Sequence, residues 1–337
     1  MTTAFPSLSW KAGFLAALAT IPPPTTATST TSTSKRGLAY LGDTHTGDDE
    51  LLYSANSSLA WYYNWSPNAI TTIPSSLPFV PLLHGLADAS SSTLQSTLGA
   101  LPSTSTHLLT FNEPDGTTDS GGSAISPSDA AQAYIDDIVP LRTDSSREWL
   151  ISHPATTGSD SGLSWLREFN ASCWEIDAEN GCPLDFVALH WYGDFAGLAS
   201  WLGTLYEFYV TNGTSSSSSS SSQNLTFWIT EMALPQASAD ETLAMMNQSL
   251  SYLDSLSYVE AYAWYGTDRK SSSWDGYTGG NVAVFTSGGA LTDVGALYLG
   301  GEKDGFKAGM KGAAGRGFGV SWAAAVLATV GFALSMS

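Results

Sequence analysis

Eight short apolar runs recur along this sequence, and most turn polar at their C-terminal end. They are "RGLAYL" (36–41), "LAWYYNW" (59–65), "FVPLLHG" (79–85), "HLLTFNE" (107–113), "WLISHP" (149–154), "DFVALHWYG" (185–193), "TFWITEMA" (226–233) and "EAYAWYG" (260–266). Short apolar runs rich in aromatic and branched residues, bounded by turn formers, read as buried strands. The run at 185–193 is apolar at both parities, as a parallel strand covered on both faces should be.

Helical patterns separate the later runs. In "SPSDAAQAYIDDIVPL", Ser126 is placed to cap a helix and Pro127 to open it. Ala130, Ala131, Tyr134, Ile135, Ile138 and Val139 then share one face. Similar patterns occupy 162–171, 197–210, 238–256 and 291–300, whereas the connections 42–58 and 66–78 carry weaker ones. Strand and helix alternating over about 270 residues predict an α/β protein of the (β/α)8 TIM-barrel type, a single domain over 35–300. An open doubly wound sheet is the alternative, but no glycine-rich dinucleotide turn follows the first run.

A barrel of this kind carries its chemistry at the C-terminal ends of its strands. Those ends hold Asn64 and Trp65, His84, Asn112 and Glu113, His153, His190 with Trp191 and Tyr192, Glu231, and Trp264 with Tyr265. Glu113 and Glu231 are the only glutamates among them, and the fourth and seventh strands face each other across the mouth. A carboxylate at the edge of a core must be paired, hydrated or used. Lysine and arginine total 12 in 337 residues, so a structural ion pair for each glutamate is the weaker expectation. Two facing carboxyls can divide the roles of acid and nucleophile, because repulsion and environment separate their proton affinities. That is the requirement of glycoside hydrolysis. Three strand-end histidines raise the question of a metal, but the first strand offers no His-x-His pair, so no metal and no cofactor are expected.

"FNEP" and "WITEMA" resemble the clan A glycoside hydrolases. With "KRGLAY", "WYYNWSP", "FVPLLHG", "HWYG" and "AYAWYG", the ordered set is similar to glycoside hydrolase family 128, the fungal alkali-sensitive-linkage-protein-like group. The resemblance runs from about Lys35 to Leu299. It implies a retaining enzyme of (β/α)8 fold acting on β-1,3-glucan. By position it implies Glu113 as acid/base and Glu231 as nucleophile, with Asn112 on the sugar 2-hydroxyl and Tyr192 orienting the nucleophile. It further implies substrate contacts from Asn64, Trp65, Trp191 and Trp264; His190, by its strand-end position, is expected to hydrogen-bond the sugar or the glutamates. A non-catalytic glucan-binding protein on the same barrel, or a clan A enzyme for another β-glycan, stay open.

Charge and termini bear on location. A net charge of -19 repels nucleic acid phosphates and anionic lipid headgroups but not a neutral glycan. Residues 1–21 hold a short apolar segment behind Lys11 that fits a signal peptide, and 22–34 read as a Pro/Thr/Ser linker. Residues 301–316 read as a spacer. The uncharged 317–337, with no following Lys or Arg, fit a removable GPI-anchor signal, the only membrane association expected. A secreted or wall-bound glycoprotein, monomeric, is therefore expected. Its two cysteines, Cys173 and Cys182, would close one local disulfide in that compartment. Six Asn-x-Ser/Thr sequons begin at Asn56, Asn64, Asn170, Asn212, Asn224 and Asn247, and the eight serines 215–222 read as a flexible loop.

Overall fold

The computed structural model describes residues 34–42, 45–143, 147–212, 225–270 and 276–313. The signal-like segment, all of the linker but its last residue, the serine tract, Asn224 and the 317–337 tail lie outside the described residues.

The strands are β1 (Arg36–Ala39), β2 (Leu59–Tyr63), β3 (Leu82–Leu83), β4 (His107–Thr110), β5 (Leu150–His153), β6 (Phe186–Tyr192), β7 (Thr226–Ala233) and β8 (Val259–Trp264). All neighbours pair in parallel, in the order β2-β1-β8-β7-β6-β5-β4-β3. A bridge between Tyr62 and Phe79 joins the two ends and closes the ring. The third strand is shorter than its apolar run because Pro78 and Pro81 flank that bridge and have no N–H for the ladder.

Helices follow the strands: α1 (Thr46–Leu52), α2 (Leu86–Ala89), α3 (Leu94–Gly99), α4 (Pro127–Ala133), α5 (Asp160–Ile176), α6 (Phe195–Tyr206), α7 (Ala239–Ser255) and α8 (Asp293–Leu299). Ser126 caps α4 through the Asp129 N–H, with Pro127 behind it, and Ser238 with Glu241 forms a reciprocal capping box on α7. The α4 pattern loosens into a π turn at Tyr134–Ile138, just before Pro140. The 42–58 connection contains α1; the 66–78 connection contains only turns.

Side-chain alternation along each strand splits the core into two layers. Ala39, Trp61, Tyr63, Leu82, Leu109, Phe186, Ala188, Trp228, Ala261 and Ala263 fill the barrel. Leu38, Tyr62, Leu108, Ile151, Val187, Leu189, Phe227, Ile229, Tyr262 and Trp264 pack beneath the helices. Past residue 300 the chain stays on the barrel. Phe306 is buried, and Leu291 and Met310 share a backbone hydrogen bond. Cys173 and Cys182 are disulfide-bonded and join the end of α5 to the approach of β6. Among the described residues, no helix is long and apolar enough to cross a membrane.

Candidate active site

Glu231 reaches the mouth through an irregularity in β7. Alternation from Phe227 and Ile229, both in the outer layer, would turn residue 231 outward as well. Pairing with β6 passes from Leu189–Ile229 to His190–Glu231, and pairing with β8 from Ile229–Tyr262 to Met232–Trp264. Both neighbours therefore register one extra residue in β7, a β-bulge around Thr230. The bulge turns Glu231 inward and returns Met232 to the outer layer.

Glu113 arrives by a different device. Phe111 and Glu113 hold positive φ angles of 30° and 40°, in the sparsely populated left-handed region. Phe111 thereby joins the outer core, while Asn112 and Glu113 both line the mouth. The loop that follows folds back on them. Gly116 N–H bonds to the Glu113 carbonyl at 2.9 Å, Ser123 N–H to the Asn112 carbonyl at 2.9 Å, and the Asn112 amide to Gly121 O at 3.1 Å. Strain of this kind persists where surrounding bonds over-determine it, and it clusters at functional sites.

The two glutamates and His190 form one group, with a ligand atom of each within 4.8 Å of the others. His190 Nδ1 lies 3.0 Å from Glu113 Oε1 and 3.5 Å from Glu231 Oε2. Burial alone would lower the pKa of His190, but the charges of Glu231 and Glu113 outweigh it and the net shift is upward. Glu231 also accepts three hydrogen bonds: from Trp65 Nε1–H at 2.6 Å, from the Tyr192 hydroxyl at 2.5 Å, and from the Tyr63 hydroxyl at 3.2 Å. An acceptor-only carboxyl surrounded by donors has the arrangement of an ionised carboxylate. Neither glutamate pairs with Lys or Arg among the described residues. The triad spacing could also admit a cation, but these donors already compete for the same oxygens.

Above the carboxylates lies a cavity of about 630 Å³. Its lining includes the aromatic residues Trp65, Tyr192, Tyr265 and Tyr277, with Leu41. Polar groups from His84, Asp119, Ser120 and Thr157 line it as well. Tyr192 meets Tyr265 and Tyr277 edge-on, at centroid distances of 5.5 and 5.4 Å.

Of the residues expected at the site, Trp65, Asn112, Glu113, Tyr192 and Glu231 line this cavity, and His190 sits just beneath it between the carboxylates. Three lie elsewhere. Trp264 is 0% exposed in the outer core, its indole N–H on Val282 O, so it offers no face to a ligand. Trp191 points outward from β6 and lies over Gly197 of α6, where a Cβ would sit 2.0 Å from its ring. Asn64 points outward from β2 and its amide closes a turn onto Asn68 O at 2.8 Å. Tyr192 and Tyr265 share the inward parity that Trp191 and Trp264 lack. Tyr63, two residues before Trp65, was detectable by the same rule. Tyr277 lies in a loop with no periodic signal. Of the other strand-end histidines, His84 is on the rim, bonded to Gly121 O, and His153 is in the outer layer between Tyr209 and Cys182.

The sequence and the fold both have counterparts among known proteins. The family model described as "Glycosyl hydrolase catalytic core" matches residues 37–298. The chain belongs to the glycosyl hydrolase catalytic-core family. It is 30% identical over 272 residues to alkali-sensitive linkage protein 1 of Schizosaccharomyces pombe, a match covering 79% of this chain and 44% of that protein. The chain thus spans less than half the length of that relative. Its fold is that of a family 128 (subgroup VI) exo-β-1,3-glucanase from Aureobasidium namibiae, with a TM-score of 0.61, 19% identity, and 80% and 97% of the two chains covered. It is likewise that of a family 128 (subgroup I) endo-β-1,3-glucanase from Amycolatopsis mediterranei, with a TM-score of 0.59, 23% identity, and 80% and 99% covered. The chain therefore shares the catalytic core that defines that family, and the shared fold confirms the (β/α)8 barrel.

Proposed function

We propose that this chain is a retaining β-1,3-glucan hydrolase with Glu113 as acid/base and Glu231 as nucleophile. The observation that carries the reading is the approach of the two carboxylates, whose nearest oxygens lie within 4.8 Å at the floor of the cavity. Carboxyl pairs about 5–5.5 Å apart favour double displacement, whereas inversion needs about 6.5–9.5 Å for an intervening water. Linkage preference draws support from the fold relatives, one of which was crystallised with laminarihexaose.

In the first step Glu231 bonds to the anomeric carbon as the glycosidic bond breaks, and Glu113 gives its proton to the departing oxygen. Glu113 then takes a proton from water, whose oxygen displaces Glu231 from the same carbon and leaves the configuration retained. Trp65, Tyr192 and Tyr63 hold Glu231 in position, and His190 links the two carboxyls. Asn112 lines the cavity beside Glu113 and is assigned to the sugar 2-hydroxyl.

The test is product analysis on linear β-1,3-glucan by wild type, Glu113→Gln and Glu231→Gln, with the first-formed anomer read by NMR. The expected result is β-anomer from wild type and a loss of at least about a thousandfold in each variant. Equal turnover by all three, as for a binding protein, or α-anomer first, would overturn the assignment. We further propose a cell-surface location with a GPI anchor, supported by the Cys173–Cys182 disulfide, which persists in oxidising compartments. Release of the full chain from membranes by a phosphatidylinositol-specific lipase checks it; retention contradicts it.

A further inference from the structure

A bulged strand leaves a backbone group without its ladder partner, and something must satisfy it when the site is buried. In β7 that site is Thr230, which is 1% exposed. The group that meets its carbonyl comes from across the barrel: the Tyr63 hydroxyl lies 3.1 Å from Thr230 O. The same hydroxyl lies 3.2 Å from Glu231 Oε1. Tyr63 is itself fully buried, its ring 4.9 Å from that of Trp65 and 6.0 Å from that of Trp61.

We infer that Tyr63 is a positioning residue whose single hydroxyl proton alternates between Glu231 Oε1 and the Thr230 carbonyl as Glu231 gains and loses its charge. This rests on the reading of Glu231 as nucleophile. A phenol has one proton to donate and here faces two acceptors. While Glu231 is ionised its oxygen is the stronger acceptor, and the bond is charge-assisted. When Glu231 becomes an ester of the sugar, its charge is gone and the neighbouring carbonyl becomes the better partner. The buried hydroxyl therefore keeps a partner in both half-reactions, which avoids the penalty of an orphaned donor. No bond other than this hydrogen bond changes, and no proton leaves Tyr63. Burial, and then the nearby Glu231, push the Tyr63 phenol far above its ordinary range, so it stays a donor. The residue also pins the bulge that turns Glu231 inward, a role that Trp65 and Tyr192, which reach only the carboxylate, do not share.

Tyr63→Phe keeps the ring and removes only the hydroxyl. The expected result on β-1,3-glucan oligosaccharides is a fall in kcat of about 10- to 100-fold with KM within about twofold. The acid limb of the kcat/KM profile should move to higher pH, because a donor to the charged carboxylate is gone. Replacing Tyr63 by 3-fluorotyrosine, which retains a donor, should restore kcat and the limb. An unchanged kcat in Tyr63→Phe overturns the inference. So does a lost kcat with an unmoved acid limb, which would make Tyr63 a packing residue. Glu231→Gln run alongside separates the two readings: full activity there removes the nucleophile assignment itself, whatever Tyr63→Phe does.

Discussion

The Nδ1 of His190 lies 3.0 Å from Oε1 of Glu113, and the same nitrogen is 3.5 Å from Glu231. A fully buried imidazole beside two carboxylates has a folded-state pKa above the ordinary histidine value, because their charges outweigh its desolvation. The folded protein therefore binds this proton more tightly than the unfolded chain does. The resulting stability is fully present below about pH 6.5 and fades as pH rises through the higher folded value. His190→Gln removes it. The melting temperature of wild type should exceed that of the variant by more at pH 5 than at pH 9. A constant gap would mean that His190 carries no charge in the folded protein.

His153 should behave in the opposite sense. It is buried in the outer layer, with Nε2 2.8 Å from Cys182 O and Nδ1 3.2 Å from the Tyr209 hydroxyl. Burial lowers its pKa to about 4. Between about pH 6.5 and 4 the unfolded chain takes up a proton that the folded one declines, so stability falls as pH falls. The loss reaches about 3 kcal/mol at the low end. His153→Gln, which can still donate and accept, should flatten this part of the curve. Urea titrations at pH 7 and 4.5 check it, and an equally steep loss in the variant would place the acid sensitivity elsewhere.

Strand position was legible in the sequence, but side-chain direction at the strand ends was only partly so. Apolar runs between turn formers found all eight strands, because each strand is buried on both faces. That same two-sided burial hides which parity points inward. On β8 the inward residues are Ala261, Ala263 and then Tyr265, so Trp264 belongs with Tyr262 under the helices. On β7 no Gly or Pro marks the bulge, so the inward turn of Glu231 follows from tertiary pairing alone. The two tryptophans should then separate cleanly on mutation. Trp264→Ala empties a core site and should destabilise the fold by about 3–5 kcal/mol in denaturant unfolding, with KM little changed. Trp65→Phe keeps most of the ring but removes the N–H on Glu231. It should leave stability within about 1 kcal/mol and lower kcat by about tenfold or more. A fold loss from Trp65→Phe as large as that from Trp264→Ala would contradict the two-layer assignment.

Gly122 offers a probe of Glu113 that touches no reacting atom. A Cβ on this residue would stand 2.6 Å from the Glu113 carbonyl oxygen and 2.7 Å from the Gly116 carbonyl carbon. Both are backbone atoms, so the loop itself must shift. These atoms belong to the bonds that hold Glu113 at its positive φ, notably Gly116 N–H and Ser123 N–H on the Glu113 carbonyl. Gly122→Ala should therefore displace the carboxyl from its partner across the mouth. Since catalysis depends on sub-ångström placement, kcat/KM should fall by about tenfold or more. The barrel layers do not include this loop, so the melting temperature should drop by only a few degrees. Gly203→Ala in α6 is the matched control. Its Cβ meets nothing within 4 Å, and a helical alanine is favoured over glycine by about 0.5–1 kcal/mol. That variant should melt slightly higher and turn over substrate normally. If Gly122→Ala also kept full activity, the loop would not be what holds Glu113 in place.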